Sequence, residues 1–116
     1  MGNEKVFSMK FAKVYPCLIN KAERKGRTRN EVYEVTSWMT GYSFGQLEEL
    51  LNSEITYAEF FEQAPALNPN RELIRGVVCG VRVENIEDPM MREIRYLDKL
   101  VDELAKGKTM ENILRK

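Results

Sequence analysis

Helix punctuation is the feature that most restricts what this chain can become. Thr28 is followed three residues later by Glu31, Ser43 by Gln46, and Thr56 by Glu59. In each pair the hydroxyl is placed to accept from an orphan backbone N–H. The Glu or Gln side chain reaches back to the N–H of the capping residue, so each pair marks a helix start. Asn68-Pro69 and Asp88-Pro89 mark two more, because proline at the first helical position sacrifices no needed hydrogen bond and the residue ahead of it can cap. Gly26, Gly41 and Gly107 suit left-handed helix ends, and Pro65 terminates what precedes it.

Between these marks the apolar residues recur at helical spacing. The first segment runs from about Ser8 to Lys25, with Phe11, Val14, Tyr15, Leu18, Ile19 and Ala22 on one side, and Pro16 predicts a kink or a break into two pieces. Thr28 to Thr40 places Val32, Val35, Trp38 and Met39 on one stripe. Ser43 to Asn52 offers Leu47, Leu50 and Leu51, and Thr56 to Ala64 offers Phe60 and Phe61. Pro89 to Lys106 is the clearest helix: Met90, Ile94, Leu97, Val101 and Leu104 form a stripe that Leu100 widens, while Arg92, Glu93, Arg95, Asp98, Lys99, Asp102 and Glu103 fill the remaining positions. Thr109 to Leu114 predicts a last short turn.

The stretch from Asn70 to Ile86 is ambiguous. Its valines favour strand. As a helix it sets Leu73, Gly76, Gly80 and Val83 on one face and Ile74, Val77, Val78 and Val81 on the next. Helix is the preferred reading, because a lone strand has no partner elsewhere in the chain and isolated strands are unstable. These elements predict one domain over residues 1–116, all-α, with six or seven short helices around one core; the alternative carries a short strand within residues 74–83.

A chain of 116 residues with 43% hydrophobic and 31% charged side chains can bury a core without disulfides or metals. Eighteen basic residues balance eighteen acidic ones, which removes the usual pointer to nucleic acid and one barrier to self-association. Cys17 and Cys79 are far apart and flanked by apolar residues, so they read as reduced, buried thiols of a cytoplasmic protein. The charged N-terminus argues against a signal peptide, and no apolar run nears the ~20 residues of a membrane helix.

The chain contains no histidine. Ser–His and Cys–His nucleophile pairs, a histidine base and Cys/His zinc sites are therefore unavailable. No cofactor or metal motif is present, and an enzyme is the less favoured reading.

The strings FAKVYPCLINKAERKGRT, NPNRELIRGVVCGVRVENIEDP and MREIRYLDKLVDELAKGKTMENILRK resemble the bacterial family known as domain of unknown function 2200. The resemblance extends over nearly the whole chain. It implies a small prokaryotic cytoplasmic protein and transfers no activity, substrate or catalytic residue.

Two clusters stand out as candidate sites. Asn68, Asn70, Arg71 and Arg75 gather about a helix start, where guanidinium groups and backbone N–H groups favour an anion. The plainer account is that Asn68 caps and Arg71 pairs with a neighbouring carboxylate. Lys21, Arg24, Lys25, Arg27 and Arg29 form a basic helix end and turn that can meet phosphates; the plainer account is cations compensating a helix C-terminus. Arg82 reads as solvent-facing or as paired with Glu84 or Asp88. Cys79 reads as inert in an apolar setting, and Trp38, Tyr42 and Phe44 as core around a turn.

The leading functional expectation is a non-enzymatic protein-interaction module, self-associating as a homodimer or serving one protein partner. It rests on the missing catalytic signatures and on the wide apolar face of the helix at 89–106. The alternatives are a small-anion or metabolite binder at Asn68–Arg75 and a weak nucleic-acid binder through Lys21–Arg29.

Overall fold

The three capping boxes form as their spacing predicts. In the computed structural model, which describes residues 2–115, the Thr28 hydroxyl accepts from the Glu31 N–H at 3.2 Å while Glu31 accepts from the Thr28 N–H at 2.9 Å. Ser43 with Gln46, and Thr56 with Glu59, repeat the arrangement. Each cap stabilises its helix by about 1 kcal/mol, and together they start α3 (Arg29–Thr40), α4 (Phe44–Leu50) and α5 (Tyr57–Glu62). Ahead of these lie α1 (Gly2–Phe7), which the sequence pattern did not predict, and α2 (Phe11–Glu23). Asp88 caps α6 (Pro89–Ala105) through the Met91 N–H, and Thr109 caps α7 (Met110–Ile113).

The first segment begins at Phe11 rather than Ser8, and the break expected at Pro16 is absent: α2 passes through it as one helix. Phe11 and Tyr15 before the proline, and Ile19 and Ala22 after it, are all buried on one face. That shared burial holds the two halves in line despite the missing N–H.

The helix expected over residues 70–86 does not form, and the strand alternative holds. Asn68 caps a 3₁₀ turn, Pro69–Leu73, by accepting from the Asn70 N–H. An antiparallel hairpin follows, β1 (Val77–Val78) and β2 (Val81–Arg82), with Val77 opposite Arg82 and Val78 opposite Val81. A second 3₁₀ turn, Val83–Asn85, leads into α6. The strand finds its partner within its own segment, which the argument against a lone strand overlooked. Cys79 and Gly80 turn the chain with φ of 53° and 79°, the two positive values of a type I′ hairpin turn. Gly80 is therefore a turn residue, where a helical reading wastes it.

The amphipathic helix α6 forms the spine of the domain. It packs against α2, α3, α5, α7 and the hairpin. Met91, Ile94, Leu97, Leu100, Val101 and Leu104 are all buried, each contributing about 2 kcal/mol by burial. The apolar face that looked wide for one small core is covered by the chain's own elements. The core continues through an aromatic chain: Phe11 stacks on Tyr15 at 4.7 Å and on Phe60 at 4.3 Å, and Phe60 lies 4.9 Å from both Tyr42 and Phe61. Tyr42 donates to the Phe60 carbonyl at 2.7 Å. Of the aromatic trio at the Gly41 turn, Tyr42 is core, Trp38 is half-buried, and Phe44 is exposed at the edge of Tyr33.

Both thiols lie elsewhere than expected. Cys17 faces solvent on the side of α2 away from the Phe11–Tyr15–Ile19 face, and Cys79 sits exposed at the hairpin tip; both are free. Apolar neighbours in sequence did not bury them, because helix phase and the turn set their direction. Among the described residues no helix is long and apolar enough to cross a membrane.

Candidate functional site

The expected anion cluster divides. Arg71 is committed inside the protein: Nε donates to Glu93 Oε1 and Nη2 to Oε2, each at 2.8 Å, while Nη1 donates to the Asn68 carbonyl at 2.9 Å. Glu93 raises the Arg71 guanidinium above its ordinary value. Asn70 donates to the Arg115 carbonyl at 3.4 Å. Arg75 stands apart in a second hollow of about 270 Å³, shared with Glu72, Ile74, Glu84, Arg92 and Tyr96. Arg92 is anchored there by donating to the Ile86 carbonyl at 2.9 Å. Two arginines against two glutamates leave this hollow without the positive excess that anion capture needs.

The basic stretch is likewise spread over internal tasks. Arg27 forks onto Glu31 and also donates to the carbonyls of Leu104 and Lys108 at 3.1 and 2.7 Å, tying the α2–α3 turn to the end of α6. Lys21 reaches Asp102 at 3.3 Å. Arg24, Lys25 and Arg29 remain exposed. Arg82 faces solvent with Glu84 at 3.5 Å.

A different place carries the features of a ligand site: a cavity of about 310 Å³ beneath the hairpin tip. Its apolar walls are Val6 of α1, Val14 of α2, and Met91 and Ile94 of α6. Tyr57 of α5 lines it from one side, Cys79 from the hairpin turn, and Arg95 and Asp98 from α6. The spacing 91, 94, 95, 98 sets four of these on one side of α6. Small-molecule sites combine such apolar walls with a few convergent polar groups, at volumes from roughly 300 Å³ upward.

The polar groups are unusual in their burial. The Tyr57 hydroxyl is sealed from solvent and has no hydrogen-bond partner among the described residues. Burial, reinforced by the charge of Asp98, pushes this phenol well above its ordinary value, so it keeps its proton and can donate. Arg95 Nη1 donates to Asp98 Oδ2 at 2.9 Å, with the two side chains 23% and 14% exposed. Burial raises the Asp98 carboxyl, and the Arg95 bond opposes that rise without cancelling it. The cavity thus offers a donor, Arg95, and an acceptor, Asp98, against an apolar wall.

Periodicity assigned Arg95 and Asp98 to the solvated side of α6, and Tyr57 was not singled out. The one available signal was position: Arg95 follows Ile94 and Asp98 follows Leu97, so both directly flank the apolar stripe. No group of three or more Cys, Asp or Glu side chains converges on a metal-sized site among the described residues.

Fold and cavity together define a small helical domain with one β-hairpin packed on its longest helix. The crystal structure of the uncharacterized protein SP1917 has the same fold: the two chains are 53% identical, superpose with a TM-score of 0.92, and match over 96% of this chain and 91% of that one. No curated protein matches. The chain belongs to the bacterial family described as uncharacterized protein conserved in bacteria, DUF2200, whose model spans residues 5–115.

Proposed function

We propose that this protein is a non-enzymatic small-molecule-binding domain whose ligand occupies the cavity bounded by Tyr57, Cys79, Arg95 and Asp98. The observation that carries this reading is the Arg95–Asp98 pair set beside the apolar wall of Val14, Met91 and Ile94 in one cavity. The metabolite-binding expectation is kept in kind and moved in place, because Arg71 is already saturated by Glu93. Two exposed free thiols suit a reducing cytoplasm.

The test uses the two thiols. A ligand in the cavity slows alkylation of Cys79 by iodoacetamide and leaves Cys17, which lies outside it, unchanged. A screen of small fragments read by melting temperature and by Cys79 labelling supports the reading if hits do both. If no fragment raises the melting temperature or protects Cys79, the reading fails.

A protein-interaction role, self-associating or with one partner, is favoured by one separate observation. Leu73, Val77 and Val81 are 48%, 47% and 40% exposed, all close to the hairpin. Light scattering on the wild type and on Val77→Asp tests it. A dimer lost in the variant supports self-association, and a monomer at high micromolar concentration counts against it.

A further inference from the structure

The cavity's own chemistry narrows the class of ligand, an inference that rests on the binding reading above. The charged groups lining it are one cation, Arg95, and one anion, Asp98, joined by a single bond between Nη1 and Oδ2 at 2.9 Å. Both are largely buried. A carboxylate ligand competes with Asp98 for Arg95 and brings a second negative charge into a desolvated site. An ammonium competes with Arg95 for Asp98 and doubles the positive charge. Either leaves a buried charge uncompensated, which is expensive.

A neutral group with an acceptor and a donor side by side has no such conflict. It meets the remaining guanidinium donors with its oxygen and the carboxylate with its N–H. Val14, Met91 and Ile94 cover the rest of the molecule with hydrocarbon.

We propose that the cavity binds an uncharged molecule with an apolar body and a carboxamide- or lactam-type edge, the carbonyl received by Arg95 and the N–H by Asp98. Charged relatives of the same shape are rejected by the balanced Arg95–Asp98 pair.

Three probes with one body and three heads decide the matter: cyclohexanecarboxamide, cyclohexanecarboxylate and cyclohexanemethylamine. Affinity is read from protection of Cys79 against alkylation, with Cys17 as internal control, and from backbone amide shifts of α6 by NMR. The amide is expected to bind at least tenfold more tightly than either charged probe. Asp98→Asn, which keeps the side chain's shape and leaves Arg95 uncompensated, is expected to reverse the order in favour of the carboxylate. A charged probe that matches or exceeds the amide on the wild type overturns the ligand class and leaves the cavity reading standing. An Asp98→Asn protein with the wild-type order overturns it as well. If none of the three protects Cys79, the amide class fails, and the fragment screen decides separately whether the cavity binds anything.

Discussion

Arg71 grips Glu93 with both arms of its guanidinium, Nε and Nη2 each lying 2.8 Å from a carboxylate oxygen, on side chains only 16% and 15% exposed. The pair fastens the 3₁₀ turn at Pro69–Leu73 onto α6. Arg71→Ala leaves a mostly buried carboxylate without its cation, and the expected loss is about 3 kcal/mol in urea unfolding. Arg71→Lys recovers only part of it, because an ammonium cannot reproduce the two parallel bonds. An Ala variant as stable as the wild type would mean that the turn does not depend on this pair.

Glu103 is 1% exposed, and it too is held by a fork: Arg115 Nη1 and Nη2 donate to its two oxygens at 2.6 and 2.8 Å, with Lys108 at 3.5 Å. The last turns of the chain are thereby closed over the end of α6. Arg115→Ala should cost about 3 kcal/mol, a fall in melting temperature on the order of 10 °C for a domain of this size. The double variant Glu103→Met with Arg115→Met should recover most of that fall, because hydrocarbon of similar volume avoids burying a lone charge. Equal losses in the single and double variants would contradict this account.

Glu31 provides a pH test. The Arg27 guanidinium, joined by the Thr28 N–H and hydroxyl, holds its carboxyl below the usual glutamate range. A carboxyl with a lowered folded pKa contributes stability above its unfolded value, roughly 4.3, and loses that contribution as the pH falls through the folded value. Glu31→Gln should therefore be less stable than the wild type at neutral pH, and the two should converge under acid. Melting temperatures followed from pH 7 downward check this, and a gap that stays constant would place the stabilisation elsewhere.

Gly41 and Gly26 share a φ of 84° but differ in surroundings. A Cβ at Gly41 would lie 2.8 Å from the Ala66 backbone nitrogen, whereas one at Gly26 meets nothing within 4 Å. The chain at Ala66 and Asn68 comes this close because their N–H groups donate to the final carbonyls of α3. Gly26→Ala should cost only the left-handed backbone penalty, about 1 kcal/mol. Gly41→Ala should cost about 3 kcal/mol or more, as backbone has to move. Similar values for the two would show that the 65–68 segment yields freely.

The helices were legible where the signal was local. Thr28, Ser43, Thr56 and Asp88 act through N–H groups three residues away, so sequence spacing specifies the geometry directly. The hairpin was not legible by the same logic. Val77 and Val78 need a partner, and the partner begins only after Cys79-Gly80, a pair lacking the asparagine or aspartate that usually announces such a turn. The candidate site was less legible still. Of the residues singled out for anion binding, Arg71 was spent on Glu93, twenty-two positions away. Arg95 and Asp98, set outside the apolar stripe by periodicity, are largely buried because α1, α2, α5 and the hairpin turn converge on that side of α6.

By itself, then, the sequence determined the helix starts, the core face of α6, and the exclusion of histidine-based chemistry, since each follows from residue identity or from spacings of a few positions. Tertiary structure alone decided which cations are spent in ion pairs, where the two thiols point, and that Tyr57, Cys79, Arg95 and Asp98 share one cavity. Those outcomes depend on which distant surfaces are brought together, and the free energy of a buried charge or hydroxyl is set by neighbours that lie far away along the chain.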